Sequence, residues 1–348
     1  MSYNETKDRN ETMKLVCILS LLVLVLLVLS LYLMNNLEYP TANTEPKTQY
    51  MELPTLENMS LSGAKQVLDA LDISYEVIPT QSRVANRVEK IEYLGKDEDG
   101  KKLYEIGTTV KLYANEIGAD KVIYLTFDDG PMVRYNLDMT VYYTTEELLD
   151  VLDEYGVKAT FFLAGYQMVK SDRSHFVNEL YEKGHLIACH SYSHDFGKIY
   201  DSTNDFIADV KEFESALENI LGKEKYNSIG KYIRFPGGTN SNGVISGDES
   251  LEYINAIRGE GYKVYDWTFL TNDADDHYRL AGESDKDYFM RSMKNGLEGA
   301  KGKNKPLILL MHDKMEMTDV LPDILDYLIG EGYYFDTLEN CPEYTTAE

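Results

Sequence analysis

The sequence predicts an α/β protein: a (β/α)7 barrel-like domain, preceded by a transmembrane helix and a small α+β module. Three observations predict it. From residue 121 onward, seven short apolar runs alternate with amphipathic stretches, which is the pattern of a parallel sheet covered by helices. That many units in roughly 220 residues fit a closed or nearly closed barrel. The residues able to do chemistry stand at the C-terminal ends of the runs, where a β/α barrel carries its site.

The elements follow in order. Residues 15–34 read LVCILSLLVLVLLVLSLYLM, twenty positions without a charge, enough for a helix to cross about 30 Å of hydrocarbon. The run exceeds the roughly 7–15 apolar residues of a cleaved signal, and no small-residue cleavage site follows it, so an uncleaved signal anchor is expected. Lys7, Arg9 and Lys14 precede the span and Lys47 alone follows it closely, which places residues 1–14 in the cytoplasm as a tail. The expected location is a single-pass protein of the cell membrane with its large domain on the cell-wall side. Residues 35–50 are polar, contain two prolines and form a linker.

Residues 51–116 form the small module. Ser60 or Ser62 can cap a helix whose Ala64, Val67, Leu68 and Leu71 make one apolar face, and residues 73–78 alternate as a strand does. The large domain, residues 117–343, has strands at 122–127, 158–163, 185–189, 231–235, 262–267, 306–311 and 333–337. Its helices lie at 174–183, 203–221, 249–259, 285–299 and 318–329, with another that Thr145 caps and Gly156 ends.

Composition narrows the partners. Among 348 residues, Lys+Arg 34 against Asp+Glu 59 leaves a net charge of −25, which repels phosphate backbones, so no nucleic-acid partner is expected. No protein partner is implied either. Three cysteines, Cys17, Cys189 and Cys341, give no disulfide framework and no paired-Cys zinc motif. Cys189 should point away from His190, as strand neighbours do, and read as a buried structural thiol; a Cys189–Cys341 disulfide has no positive support. The 28 Tyr offer sugar-stacking faces but also fill cores.

The strand ends carry Asp128-Asp129-Gly130-Pro131, then His190 with His194 four positions on. Arg234 with Pro236-Gly237-Gly238, Asp266-Trp267 and His312-Asp313 complete the set. Two histidines at i, i+4 on a helical turn point the same way, and Asp128 or Asp129 can add an oxygen. Two imidazoles and one carboxylate leave a fourth tetrahedral position open, the arrangement of a catalytic zinc. Each piece alone has a plainer reading: a common turn, surface polarity or an ordinary salt bridge.

Together they resemble a family. LTFDDGP (125–131), HSYSH (190–194), RFPGG (234–238), YDW (265–267) and LLMHD (309–313) stand in the order and spacing of the polysaccharide deacetylases, the NodB-like carbohydrate esterase family 4. The resemblance covers about 121–340. It implies a distorted (β/α)7 barrel that removes N- or O-acetyl groups from surface polysaccharides with a divalent metal, usually Zn2+, with Co2+ or another divalent ion as alternatives. By the same resemblance Asp128 is the general base, and Asp129, His190 and His194 are the metal ligands. Arg234 orients Asp128, and His312 is the general acid. The Gly237 N–H faces the oxyanion, and Leu310 lines the acetyl slot. One motif departs: Leu270 aligns with a supporting Asp, and Asp273-Ala274 replaces Asp-Trp. Asp273 or Asp266 is then the candidate support for His312, and Trp267 the candidate pocket wall.

The segments LPTLENMSLSGAKQVLDAL and GTTVKLYA resemble a PASTA domain, which implies either peptidoglycan binding or a spacer. The expected function is a membrane-anchored, metal-dependent deacetylase of peptidoglycan, acting on N-acetylglucosamine or N-acetylmuramic acid. The alternatives are another surface polysaccharide of chitin or xylan type, or an inactive wall-binding or sensing protein. Metal-dependent phosphoester hydrolysis fits the bare ligand set but lacks a phosphate-cradling loop.

Overall fold

A computed structural model describes residues 48–347, apart from residues 100, 136, 137, 139, 241–244 and 246. The predicted tail, membrane span and most of the linker lie outside the described residues, as does Cys17. Among the described residues no helix is long and apolar enough to cross a membrane.

The chain divides into two compact units. The first runs to Thr80 and resumes over Arg87–Ala114; the second holds Gln81–Asn86 and everything from Asn115. The sequence draws one boundary, after 116, whereas the chain visits the second unit twice. Residues 81–86 lie along a strand of that unit: Ala85 N donates to Phe335 O (2.7 Å) and Phe335 N to Arg83 O (2.8 Å). Such pairing between distant segments uses main-chain groups alone and leaves no local pattern to read.

In the first unit, β1 (Tyr50–Glu52), β4 (Gly95–Glu98) and β5 (Lys101–Glu105) form an antiparallel sheet in the order β1-β5-β4. A second sheet joins β2 (Tyr75–Ile78), β6 (Val110–Tyr113) and β3 (Lys90–Glu92), with β2 parallel and β3 antiparallel to β6. The expected single helix is α1 (Leu61–Ala70). Ser60 caps it, accepting from Gly63 N at 3.2 Å, and Leu61, Ala64 and Leu68 are its buried stripe.

The second unit is built on parallel strands β7 (Val122–Asp128), β10 (Thr160–Leu163), β11 (Leu186–Cys189), β12 (Tyr232–Ile233), β13 (Lys263–Val264), β14 (Phe269–Leu270), β15 (Leu307–His312) and β16 (Tyr334–Asp336). A short hairpin, β8 (Arg134–Tyr135) with β9 (Val141–Tyr142), rises after β7. The sheet order is β13-β12-β11-β10-β7-β15-β14, and β16 pairs with the first half of β7. The seven expected strands are present, with β14 in addition.

The order itself requires curvature. β13 and β14 are the two ends of a seven-strand path, which laid flat would hold them about 29 Å apart at roughly 4.8 Å per strand. Val264 and Phe269 are five residues apart in the chain, which reach at most about 18 Å. The sheet therefore curls toward a barrel, and among the described residues no ladder joins β13 to β14.

Side-chain alternation then separates inside from outside. Ile123, Leu125 and Phe127 of β7 face the outer layer, packing with Leu148 and Leu149 of α2 (Thr144–Glu154) and with Phe206 and Phe213 of α6 (Thr203–Leu221). Val122 and Tyr124 face the interior with Phe162, Ala188, Tyr265 and Ile308. Cys189 and Cys341 are both free and buried, one in each of these clusters. Between α2 and α6 lie α3 (Gly165–Met168), α4 (Ser174–Glu182) and α5 (Phe196–Ile199). After α6 come α7 (Lys223–Ser228), α8 (Gly247–Gly259), α9 (Asp285–Ala300) and α10 (Met315–Gly330). Thr145 is not the cap of α2: the cap position is Tyr143, with no side-chain bond, and the Thr145 hydroxyl turns inward to Asp313.

Candidate active site

The strand register stacks the interior residues in layers. Thr126 stands opposite Leu310, and Asp128 opposite His312 on one side and Phe162 on the other. Thr126, Asp128, Leu310 and His312 therefore share the interior face at the C-terminal end of the sheet, where the sequence places its chemistry.

Arg234 is the floor of this site. It is fully buried, and its guanidinium donates from Nη1 to Asp128 Oδ1 (2.7 Å) and Thr126 Oγ1 (2.8 Å). Nε reaches Tyr265 O and Nη2 reaches Asp266 O, both at 3.2 Å. The cation also lies 4.2 Å from the Phe162 ring centroid and 5.7 Å from that of Trp267. A buried charge with this many partners is fixed in place, and so is the carboxylate it holds. The other Asp128 oxygen, Oδ2, faces His190 Nε2 at 3.7 Å.

Asp129, His190 and His194 bring their donor atoms within 4.8 Å of one another. The carboxylate oxygen Oδ1 of Asp129 lies 3.2 Å from His194 Nε2 and 3.5 Å from His190 Nε2. Ligands at about 2.1 Å around a tetrahedral ion stand about 3.4 Å apart, so these separations fit a divalent cation. The donor set agrees. His190 Nδ1 meets Arg234 O at 2.9 Å, and a carbonyl only accepts, so Nδ1 carries the proton and Nε2 keeps its lone pair toward the site.

The two histidines do not ride a helical turn as their spacing predicts. Residues 190–194 are a loop in which Ser191 (φ 66°) and His194 (φ 52°) adopt left-handed backbone, as Asp129 does (φ 72°). Asp209 of α6 holds this loop, accepting from Ser193 N at 3.2 Å and from Tyr192 N, while Ser191 Oγ accepts from His194 N at 3.0 Å. Asp209 was legible in principle. It sits on the buried stripe with Phe206, Val210 and Phe213, where a carboxylate needs donors to satisfy it.

Across the site, Asp273 settles the altered motif. It accepts the main-chain N–H of His312 at 2.8 Å and faces Nδ1 at 3.0 Å, and the Thr271 hydroxyl donates to the same carboxylate at 2.8 Å. Asp266 is engaged elsewhere, accepting from Thr239 N at 2.9 Å and from Thr346 N at 2.6 Å. Trp267 is half-buried against Gly238, where a Cβ would come within 2.9 Å of its ring and φ is 82°. Gly237, next in the same turn, has φ 80°, and Leu310 is buried two residues before His312.

Electrostatics sharpen the division of labour. Burial works to raise the Asp129 carboxyl, but the His194 hydrogen bond and both nearby imidazoles hold it well below the usual carboxylate range. Burial pushes His190 down despite Asp128 and Asp129. Burial also opposes charge on His194 and His312, yet Asp129 lifts the former, and the Asp273 bond takes the latter to about 9.

A family model described as polysaccharide deacetylase matches residues 115–256. A peptidoglycan-N-acetylglucosamine deacetylase of Bacillus cereus is 31% identical over 218 residues, 62% of this chain and 68% of that protein. The chain belongs to the polysaccharide deacetylase family. A peptidoglycan-N-acetylmuramic acid deacetylase of Bacillus subtilis is 28% identical over 227 residues, 64% of this chain and 71% of that one. The chitin deacetylase of Colletotrichum lindemuthianum has a solved structure that matches with a TM-score of 0.50 at 25% identity, covering 66% of this chain and 92% of that one. As a polysaccharide deacetylase, this protein is a hydrolase of amide bonds. In this polysaccharide deacetylase Thr126 is the interior residue that sequence reading passes over: hidden in an apolar run, its hydroxyl accepts from Arg234 and donates to Leu309 O at 2.7 Å.

Proposed function

We propose that the protein removes N-acetyl groups from peptidoglycan amino sugars with a divalent cation, Zn2+ foremost, held by Asp129, His190 and His194. The observation that carries this reading is the juxtaposition of that donor set with two groups able to carry a proton, Asp128 held by Arg234 and His312 held by Asp273. The relatives named above support peptidoglycan as the substrate class.

A bound cation would polarise the acetyl carbonyl and acidify a water at the open position. Asp128 Oδ2, the oxygen that Arg234 leaves free, takes the proton from the attacking water. The tetrahedral oxyanion faces the Gly237 N–H, and Leu310 receives the acetyl methyl. His312, kept protonated by Asp273, gives its Nε2 proton to the leaving amine, and the Asp273 carboxylate holds the ring in register throughout. Trp267, packed on Gly238, fixes the turn that carries Gly237.

The uncharged run at residues 15–34 supports membrane anchorage with the deacetylase on the wall side, and the 51–116 module is read as a PASTA-like wall contact or spacer. The test is acetate release from purified peptidoglycan by the full chain in detergent, after chelation and again with added Zn2+, alongside Asp129→Ala and His312→Ala. Zinc-restored release that both variants lose is the expected result. Release indifferent to chelation, or unchanged in both variants, would overturn the mechanism. Protease digestion of intact cells that spares the large domain would overturn the topology.

A further inference from the structure

Beside the cation site, α3 is bonded to both ligand-bearing loops. Ala164 N donates to Gly130 O (2.9 Å), Gly165 N to Ser191 O (3.1 Å) and Tyr166 N to Tyr192 O (2.8 Å). Tyr166 is thereby fixed beside the site, the residue 39% exposed, and the nearby charge of Asp129 helps to raise its phenol, after burial. Tyr135, Tyr143 and Val169 are exposed as well, on the β8–β9 hairpin, at its end and just past α3. An exposed aromatic ring held beside the ligand loops offers a face to something flat and partly apolar.

Next to it lies an unusual charge arrangement for a chain of net charge −25. Lys170 Nζ stands 5.3 Å from the Tyr166 ring centroid and donates to Gln167 Oε1 at 2.7 Å. Arg173 donates to the same amide oxygen, and also reaches Val133 O at 3.3 Å and Met132 Sδ at 3.7 Å. Two cations thus share one neutral acceptor. Arg173 is buried, and its Nε makes no hydrogen bond, lying 3.8 Å from Asp172 Oδ1. The other Asp172 oxygen is taken by the Tyr135 hydroxyl at 2.5 Å. Partial burial and then Arg173 hold the Lys170 ammonium below its ordinary value. Like charges brought together without full neutralisation favour an incoming anion.

We propose that Tyr166 and Lys170 form a glycan subsite beside the acetyl-cleaving centre, for a sugar ring that stacks on Tyr166 and carries a carboxylate to Lys170. Arg173 and Gln167 act through Lys170, setting its position and the local positive field. The assignment rests on the deacetylase reading and adds the class of glycan: an acetylated chain with an acidic sugar next to the one deacetylated, as a lactyl ether provides in N-acetylmuramic acid.

The experiment compares two tetrasaccharides with the zinc-loaded full chain. One is neutral, of N-acetylglucosamine alone; the other alternates N-acetylglucosamine with N-acetylmuramic acid, free of stem peptides. Lys170→Met is expected to raise KM for the acidic glycan about tenfold while kcat, and KM for the neutral glycan, stay within about twofold. Lys170→Arg should restore most of the loss, and Tyr166→Ala should raise KM for both glycans. Equal effects of Lys170→Met on the two glycans, or none on either, overturn the subsite. If the wild type releases acetate from neither glycan, the peptidoglycan reading fails. The subsite is then decided by calorimetric titration of both glycans into Asp128→Asn with and without Lys170→Met. Selective loss of affinity for the acidic glycan sustains it, and unchanged affinity overturns it.

Discussion

Asp273 holds His312 by two bonds at once, accepting its main-chain N–H at 2.8 Å and facing its Nδ1 at 3.0 Å. The carboxylate fixes the ring's position and tautomer together, leaving Nε2 as the nitrogen turned to chemistry. It also makes the imidazolium the favoured form, up to about pH 9 before any cation is bound. His312 must be protonated to act as an acid, so activity falls as pH rises past its pKa. A bound cation repels that proton and moves the limb below 9. Asp273→Asn removes the counter-charge, and its kcat/KM profile should lose the alkaline limb at a pH lower by at least about one unit, with maximal rate reduced about 10²-fold. Superimposable pH profiles for variant and wild type would show that Asp273 does not tune the acid.

The Arg234–Asp128 pair is buried on both sides, so its partners cannot be removed singly without cost. Arg234→Met leaves the Asp128 carboxylate without its cation and should destabilise the fold by about 3–5 kcal/mol. Arg234→Lys is no remedy, since an ammonium cannot span Asp128, Thr126, Tyr265 and Asp266 from one position. Adding Asp128→Asn to Arg234→Met should recover a large part of the loss, because no unpaired charge remains. Calorimetric melting of the wild type, Arg234→Met, Asp128→Asn and the double variant measures this directly, and additive losses in the double variant would count against a coupled pair.

Much of this site was legible because its residues end strands that announce themselves as apolar runs: VIYLTF before Asp128, HLIAC before His190, PLILLM before His312. What could not be read was whatever depends on backbone handedness or distant pairing. The i, i+4 spacing of His190 and His194 is compatible with a helix, and only the left-handed φ of Ser191 and His194 turns the segment into a loop. With Leu270 standing where a supporting Asp aligns, the sequence left Asp266 or Asp273 to hold His312; the register of β14 beside β15, pairing Leu270 with Leu310, and the bond from Asp273 to His312 decide it. Residues 81–86 show no apolar period: their pairing along β16 is made by main-chain atoms, and the side chains add single contacts, Arg83 over the Tyr334 ring and Ala85 in the interior cluster.

The Asp129–His194 contact at 3.2 Å makes cation binding a competition with a proton. Asp129 raises His194 above its ordinary value, so binding must expel a proton that grows harder to remove as pH falls. Zinc affinity of the full chain should therefore weaken steadily below about pH 7, and His194→Ala should weaken it at least about 100-fold at neutral pH. Competition titration against a chromogenic chelator gives both numbers. Zinc affinity that is flat from pH 5 to 8 would remove His194 from the ligand set.

Asp313 stands directly behind the catalytic loop and should govern stability rather than turnover. Its main-chain N–H donates to Asp128 O at 3.0 Å, and one side-chain oxygen accepts from the Thr145 hydroxyl at 2.6 Å. The other is buried with no hydrogen-bond partner, and the group is 1% exposed. Burial, opposed by Thr145 and Thr144, raises this carboxyl from 3.8 to about 7. The folded protein thus keeps a proton that the unfolded chain has already lost. Between those two values the native state binds more protons than the unfolded state, so stability falls as pH rises. The contribution is fully present below pH 3.8, the value of the exposed carboxyl, and is lost as pH climbs through about 7. It amounts to an effect on the order of a few kcal/mol. Asp313→Asn cannot titrate, so with chelator present its Tm should decline less than that of the wild type between pH 5 and pH 8. Parallel declines would mean that Asp313 is already ionised at pH 5.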